Sequence, residues 1–88
     1  MPIISHFYGI VIRMYFNDNE QHNTPHFHAK YAGREAAFDF DGKLLAGKIP
    51  PKQKQYIAVW ADIHRKELEV LWEMMQTEDE YFKIKGLD

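Results

Sequence analysis

The pair Pro50-Pro51 divides this sequence into two stretches with different hydrophobic periods, and that division limits the fold more than any other feature. Before the prolines, β-branched and aromatic residues alternate with polar ones at period two, the spacing of half-buried strands. After them, apolar residues recur every three to four positions, the spacing of an amphipathic helix. Proline at a first helical position loses no hydrogen bond, so the pair closes a sheet and opens a helix. With 88 residues the chain is too short to bury two cores, and a single α+β domain over residues 1–88 is expected.

Four strands are predicted ahead of the prolines. Gly9 to Phe16 is the first, and the polar, turn-rich stretch from Asn17 to Pro25 is a loop. His26 to Tyr31 is the second strand, with a short turn signal at Ala32-Gly33. Glu35 to Phe40 is the third, stopped by Asp41-Gly42, a two-residue hairpin signature. Lys43 to Ile49 returns as the fourth. The expected architecture is therefore a four-stranded antiparallel meander with one long or kinked helix, or two helices, on one face. The tail Tyr81-Phe82-Lys83-Ile84 alternates weakly, as a segment docked along a sheet edge would.

Side-chain parity sorts the strands into two faces. Ile10, Ile12, Met14 and Phe16 share one with Phe27, Ala29, Tyr31, Ala36, Phe38 and Phe40. The other carries Arg13 and Tyr15, then His26, His28 and Lys30, then Glu35 and Asp39. A turn at Ala32-Gly33 sets His26 opposite Asp39 and Lys30 opposite Glu35, whereas a turn one residue later sets His28 opposite Asp39. Either register leaves the second face polar.

In the helical stretch, a single phase puts Tyr56, Ile57, Val59, Trp60, Ile63, Leu68, Val70, Leu71, Met74 and Met75 on one arc. His64 and Glu67 fall inside that arc, three residues apart and so adjacent on the helix surface. An unbroken helix from Pro51 to Gln76 is about 37 Å long. That is long for so small a domain, which predicts a kink near His64.

Composition narrows the function classes. The chain has no cysteine, which excludes disulfides and thiolate zinc sites. No apolar run approaches the roughly 20 residues that span a bilayer, and the first residues lack the features of an export signal, so a cytoplasmic protein is expected. The net charge of −2 argues against strong non-specific binding to nucleic acid. Charge is unevenly spread: Lys43, Lys48, Lys52 and Lys54 lie in a stretch without acids, and seven acids follow between Asp62 and Glu80. The lysines read as a solvated helix start or as a local phosphate-facing patch.

The sharpest chemical feature is Pro25-His26-Phe27-His28-Ala29. Two histidines at i and i+2 on a strand project to one side, about 7 Å apart at the backbone. That spacing suits an acid and a base acting on one bond, two ligands of one metal ion, or simply a half-exposed polar face. A metal would need further ligands, for which His64, Glu67, His22 and Asp39 are the available groups; the sequence names no particular metal or cofactor. His64 and Glu67 either steady the helix and its contacts with the sheet, or reach the strand histidines and complete a site. His6 and His22 read as solvent histidines.

Ser5-His6-Phe7-Tyr8-Gly9-Ile10-Val11-Ile12, Pro25-His26-Phe27-His28-Ala29-Lys30-Tyr31, and Trp60 with His64-Arg65-Lys66-Glu67-Leu68 together resemble a family of small prokaryotic proteins known as domain of unknown function 4160. The likeness covers nearly the whole chain, with the Pro-His-Phe-His-Ala box its most specific element. Members are often encoded beside a second small protein, and the pair is regarded as a candidate toxin–antitoxin module. The resemblance thus implies a prokaryotic protein with a cognate small protein partner from a neighbouring gene, and points to His26, His28, His64 and Glu67. The loop from Asn17 to Thr24 looks longer than is usual for the family, and Thr24 replaces a frequent proline. The leading expectation is a toxin-like component acting on RNA through His26 and His28, with Arg13, Lys30 and Asp39 toward the substrate. The alternatives are a non-enzymatic interaction module using the polar sheet face, including Val11, Tyr15 and Leu44, or a histidine–carboxylate metal protein.

Overall fold

The computed structural model describes residues 2–16 and 24–88. It is an antiparallel sheet of five strands followed by two helices: β1 Ile3–Phe7, β2 Ile10–Arg13, β3 His26–Tyr31, β4 Arg34–Asp39, β5 Leu44–Gly47, α1 Pro51–Ile63 and α2 Arg65–Thr77. The strands lie in sequence order as a simple meander.

The strand that parity did not predict is β1. Its hairpin to β2 turns through Tyr8 and Gly9, both at positive φ (50° and 78°). The twist of such a turn matches that of the flanking strands, but tyrosine lacks the Asn-Gly or Asp-Gly signature that marks it in sequence. Ala32-Gly33 uses the same geometry, at 50° and 79°. That turn fixes the register with Lys30 opposite Glu35 and His26 opposite Asp39.

The β4–β5 connection differs from the two-residue hairpin expected at Asp41-Gly42. Asp39 N–H donates to the Lys43 carbonyl and Gly42 N–H to the Asp39 carbonyl, both at 3.0 Å. A three-residue loop, Phe40-Asp41-Gly42, results, with Gly42 at φ 82°. Its packing requires glycine as well, because a Cβ there would lie 2.9 Å from Ala58 Cα on α1. The β4–β5 register then slips by one residue between Ala37 and Phe38. Leu44 consequently faces the core opposite Phe38, and Leu45 takes the outer side. The expectation of Leu44 on the polar face is corrected by this bulge.

One face of the sheet holds the core. Phe7, Ile10, Ile12, Phe27 and Phe38 have no exposed surface, and neither do Trp60, Leu68 and Leu71 from the helices. Phe27 stacks on Phe38 at 5.8 Å and meets Trp60 edge-on at 5.5 Å. These contacts match the expected packing of the apolar strand face on the helical stripe.

The helical stretch breaks at His64, which ends α1 and starts α2 with φ −106°. A straight helix of about 37 Å would exceed the molecule's longest dimension of 34 Å, so the break keeps both segments on the sheet. It also changes the helical phase. Val59, Ile63 and Val70, expected on the buried arc, are instead 52%, 61% and 55% exposed.

The C-terminal tail runs along β1, as its alternation suggested. Ile84 N–H donates to the Ile4 carbonyl at 2.7 Å, and Trp60 Nε1–H to the Lys85 carbonyl at 2.9 Å. No helix among the described residues is long and apolar enough to cross a membrane.

Candidate functional site

The face of the sheet opposite the core carries the site. Pairing aligns Arg13 on β2, His28 on β3, Ala37 on β4 and Ala46 on β5 in one row across the strands. The two alanines leave the β4–β5 end of that row low. A cavity of about 290 Å³ sits there, lined by Thr24, His26, His28, Ala37, Leu45 and Ala46. Arg13, Tyr15, Lys30 and Glu35 line a second cleft that reaches from β2 to β4.

His26 and His28 share this face as parity predicts, with ring centroids 5.3 Å apart and planes at 71°. Their environments differ, however. His28 is half-buried and stacks at 4.5 Å and 20° on Tyr15, two residues past its ladder partner Arg13. His26 retains only 3% of its surface. It lies at the end of the sheet that α2 crosses, where Trp72 covers it at a ring separation of 5.4 Å and also meets Phe40. Two hydrogen-bonded contacts mark the same crossing: Gln76 Nε2 donates to the Tyr15 carbonyl at 3.2 Å, and Arg65 bridges Asp41 and Glu69. The Asp41 hydrogen bond, reinforced by Glu69, raises the guanidinium pKa above its ordinary value.

The ring of His26 is oriented by its own chain. Nδ1 lies 2.8 Å from the Thr24 carbonyl oxygen. A carbonyl only accepts, so Nδ1 must carry the proton, and in the neutral ring Nε2 is then the basic nitrogen. Buried histidines that serve as bases or ligands are held by this kind of bond.

Asp39 does not serve the site as expected. It stands opposite His26 in the ladder, but its Oδ1 accepts from Asp41 N–H at 3.0 Å and Lys43 N–H at 2.9 Å. These bonds secure the β4–β5 loop, so Asp39 acts as a turn residue.

His64 and Glu67 find each other, with Nδ1 to Oε1 at 2.5 Å. The other neighbour of the His64 ring is Trp60, at 5.8 Å. Neither residue is among those lining the histidine cavity. The pair braces the helix break, and the expectation that His64 shares a pocket with the strand histidines is not met at this cavity. Among the described residues, no three His, Asp or Glu side chains gather closely enough to hold a metal ion. His22, the remaining proposed ligand, lies outside the described residues, and His6 is exposed as expected.

Sequence reasoning missed Trp72 as the cover of His26, because a single helical phase could not survive the break at His64. It also missed Ala37 and Ala46, whose only signal is small size at outward positions of adjacent strands.

The sequence model of the family described as Domain of unknown function (DUF4160) matches residues 9–73, well over half of the chain. The chain belongs to the DUF4160 family. The match spans β2 through most of α2, and so contains every residue lining the histidine cavity and the Trp72 that covers it. No curated protein and no solved structure matches the chain.

Proposed function

We propose that this DUF4160 chain is the toxin-like component of a prokaryotic toxin–antitoxin pair, acting in the cytoplasm on RNA through His26 and His28. The observation that carries the reading is the histidine pair itself. Two imidazoles 5.3 Å apart line one cavity on the outer face of the sheet, and one has its tautomer set by the Thr24 carbonyl.

His26 Nε2 takes the proton of a ribose 2′-hydroxyl. The 2′-oxygen attacks the adjacent phosphorus, and the bond from phosphorus to the 5′-oxygen breaks. His28, as imidazolium, gives its proton to that leaving oxygen. The products are a 2′,3′-cyclic phosphate and a 5′-hydroxyl, and the pair ends with its protons exchanged. Arg13 and Lys30, in the next cleft, face the phosphate charge.

The cognate small protein from a neighbouring gene, which the family resemblance implies, holds this activity in check. The alternative, a docking module, uses the same face without this chemistry.

Inducible expression with and without the neighbouring gene tests the reading. Wild-type chain alone should arrest growth, and both co-expression and the double substitution His26→Ala/His28→Ala should relieve the arrest. Equal arrest by the double variant at equal protein level would reject the acid–base role and favour the interaction module.

A further inference from the structure

We infer that the cavity beside the histidines is a subsite for one unpaired nucleobase, which makes single-stranded RNA the substrate class; this rests on the RNA reading above. The size of the cavity is the first ground. At about 290 Å³ it lies just below the roughly 300–1,000 Å³ of small-molecule pockets. One planar ring system fits within it.

The shape of the walls is the second ground. The floor is two methyl groups, Ala37 and Ala46, on residues directly paired across β4 and β5. A flat ring can lie on such a floor, whereas any longer side chain at either position would fill the space. Leu45 forms an apolar side wall, which the β-bulge turns outward and leaves 43% exposed. The two imidazoles close the opposite side, and Thr24 adds polar groups at the rim. A largely apolar slot with a few polar groups at its edge is how proteins hold an extruded base.

Continuity supplies the third ground. A further cleft lined by His28, Glu35, Ala37, Ala46 and Gly47 extends the same floor along β4 and β5. Beyond His28, the Tyr15 ring is stacked parallel to it beside Arg13 and Lys30. A strand with one base in the cavity can therefore place its sugar-phosphate at the histidines and its next phosphate near Arg13 and Lys30.

Charge explains why a base subsite is needed. With a net charge of −2 and Glu35 paired opposite Lys30, phosphate contacts alone provide little affinity. Stacking and burial of a base provide it without high positive charge. In a duplex the bases are stacked and paired, so a base cannot enter this slot unless it is first extruded.

Binding of 2′-O-methyl oligonucleotides tests the inference separately from catalysis, because their blocked 2′-oxygen cannot attack. The wild-type chain should bind an eight-nucleotide single strand at least about tenfold more tightly than a duplex of the same sequence. Ala46→Phe, at an exposed position, should weaken single-strand binding by about tenfold while leaving the melting temperature unchanged. Ala46→Leu is the milder filling variant should the phenylalanine disturb the sheet. Equal affinity for single strand and duplex, or full binding by a folded cavity-filling variant, would overturn the subsite. Single-strand binding without any cleavage of unmodified RNA would instead leave the subsite standing and remove the acid–base reading. Cleavage of RNA by a chain that binds both forms equally would do the reverse.

Discussion

The two faces of one sheet carry the same alternating strands to opposite ends. On the inner face, Phe27 and Phe38 stack on each other and are closed off by Trp60, with no surface left to solvent. On the outer face, one residue further along the same strands, His28 and Ala37 stand opposite each other at the edge of an open cavity. The inner face is specified by volume, and Trp60 from α1 packs against Phe7 and Phe27 there. The outer face is specified by chemistry and by small size, and Trp72 covers it at its His26 end. Substitutions on the inner face should therefore cost stability, and those on the outer face should cost function.

The largest expected effect is on the inner face. Phe38→Ala should destabilise the fold by about 3–5 kcal/mol, read as a shift in the denaturation midpoint. A loss under about 1 kcal/mol would mean that the face assignment carries little of the fold's stability. Next comes Gly47, where the two faces share one backbone. It sits at φ 83°, and a Cβ there would lie 2.2 Å from the Glu35 carbonyl oxygen. Gly47→Ala should cost at least about 1–3 kcal/mol and distort the outer groove with it, so stability and RNA binding should fall together.

The helix pair gives a smaller effect and sharpens the contrast between brace and site. His64 is mostly buried, but the Glu67 side chain is 48% exposed. Solvent screens a pair of that kind, so Glu67→Gln should cost only about 0.5–1 kcal/mol. It should leave growth arrest intact at temperatures well below melting. Loss of arrest from a stably folded Glu67→Gln protein would bring the helix pair back into the site. Smallest in stability is Lys30→Ala, which should change folding by no more than about 0.5 kcal/mol. Its effect should appear in RNA binding as a salt-dependence slope reduced by about one.

Legibility in the sequence divides along the same line. The faces of β2, β3 and β4 follow from period-two alternation, which one buried face enforces, and so the placement of His26 beside His28 was readable. So was the break near His64, because a single straight helix is longer than the molecule. What was not readable depends on one-residue events without a sequence mark. Tyr8-Gly9 makes a tight hairpin without the usual turn residues, which hid β1. The bulge after Ala37 exchanges Leu44 and Leu45 between faces. Asp39 looks like a partner for His26 by register, yet two backbone N–H groups of its own loop are nearer claimants. The cover over His26 depends on where α2 passes after the break, a tertiary fact that no local pattern carries.

The central claim is that the outer histidines are an acid and a base for RNA. Its most direct test is cleavage of a defined single-stranded RNA by purified wild-type, His26→Ala and His28→Ala proteins, with fragment ends identified. Wild type should produce 2′,3′-cyclic phosphate ends, with a bell-shaped dependence of rate on pH. Each substitution should lower the rate by roughly 10²–10⁴-fold in a protein that remains folded. Undiminished cleavage by a folded His28→Ala protein, or no cleavage by the wild-type chain freed of its partner, would contradict the claim.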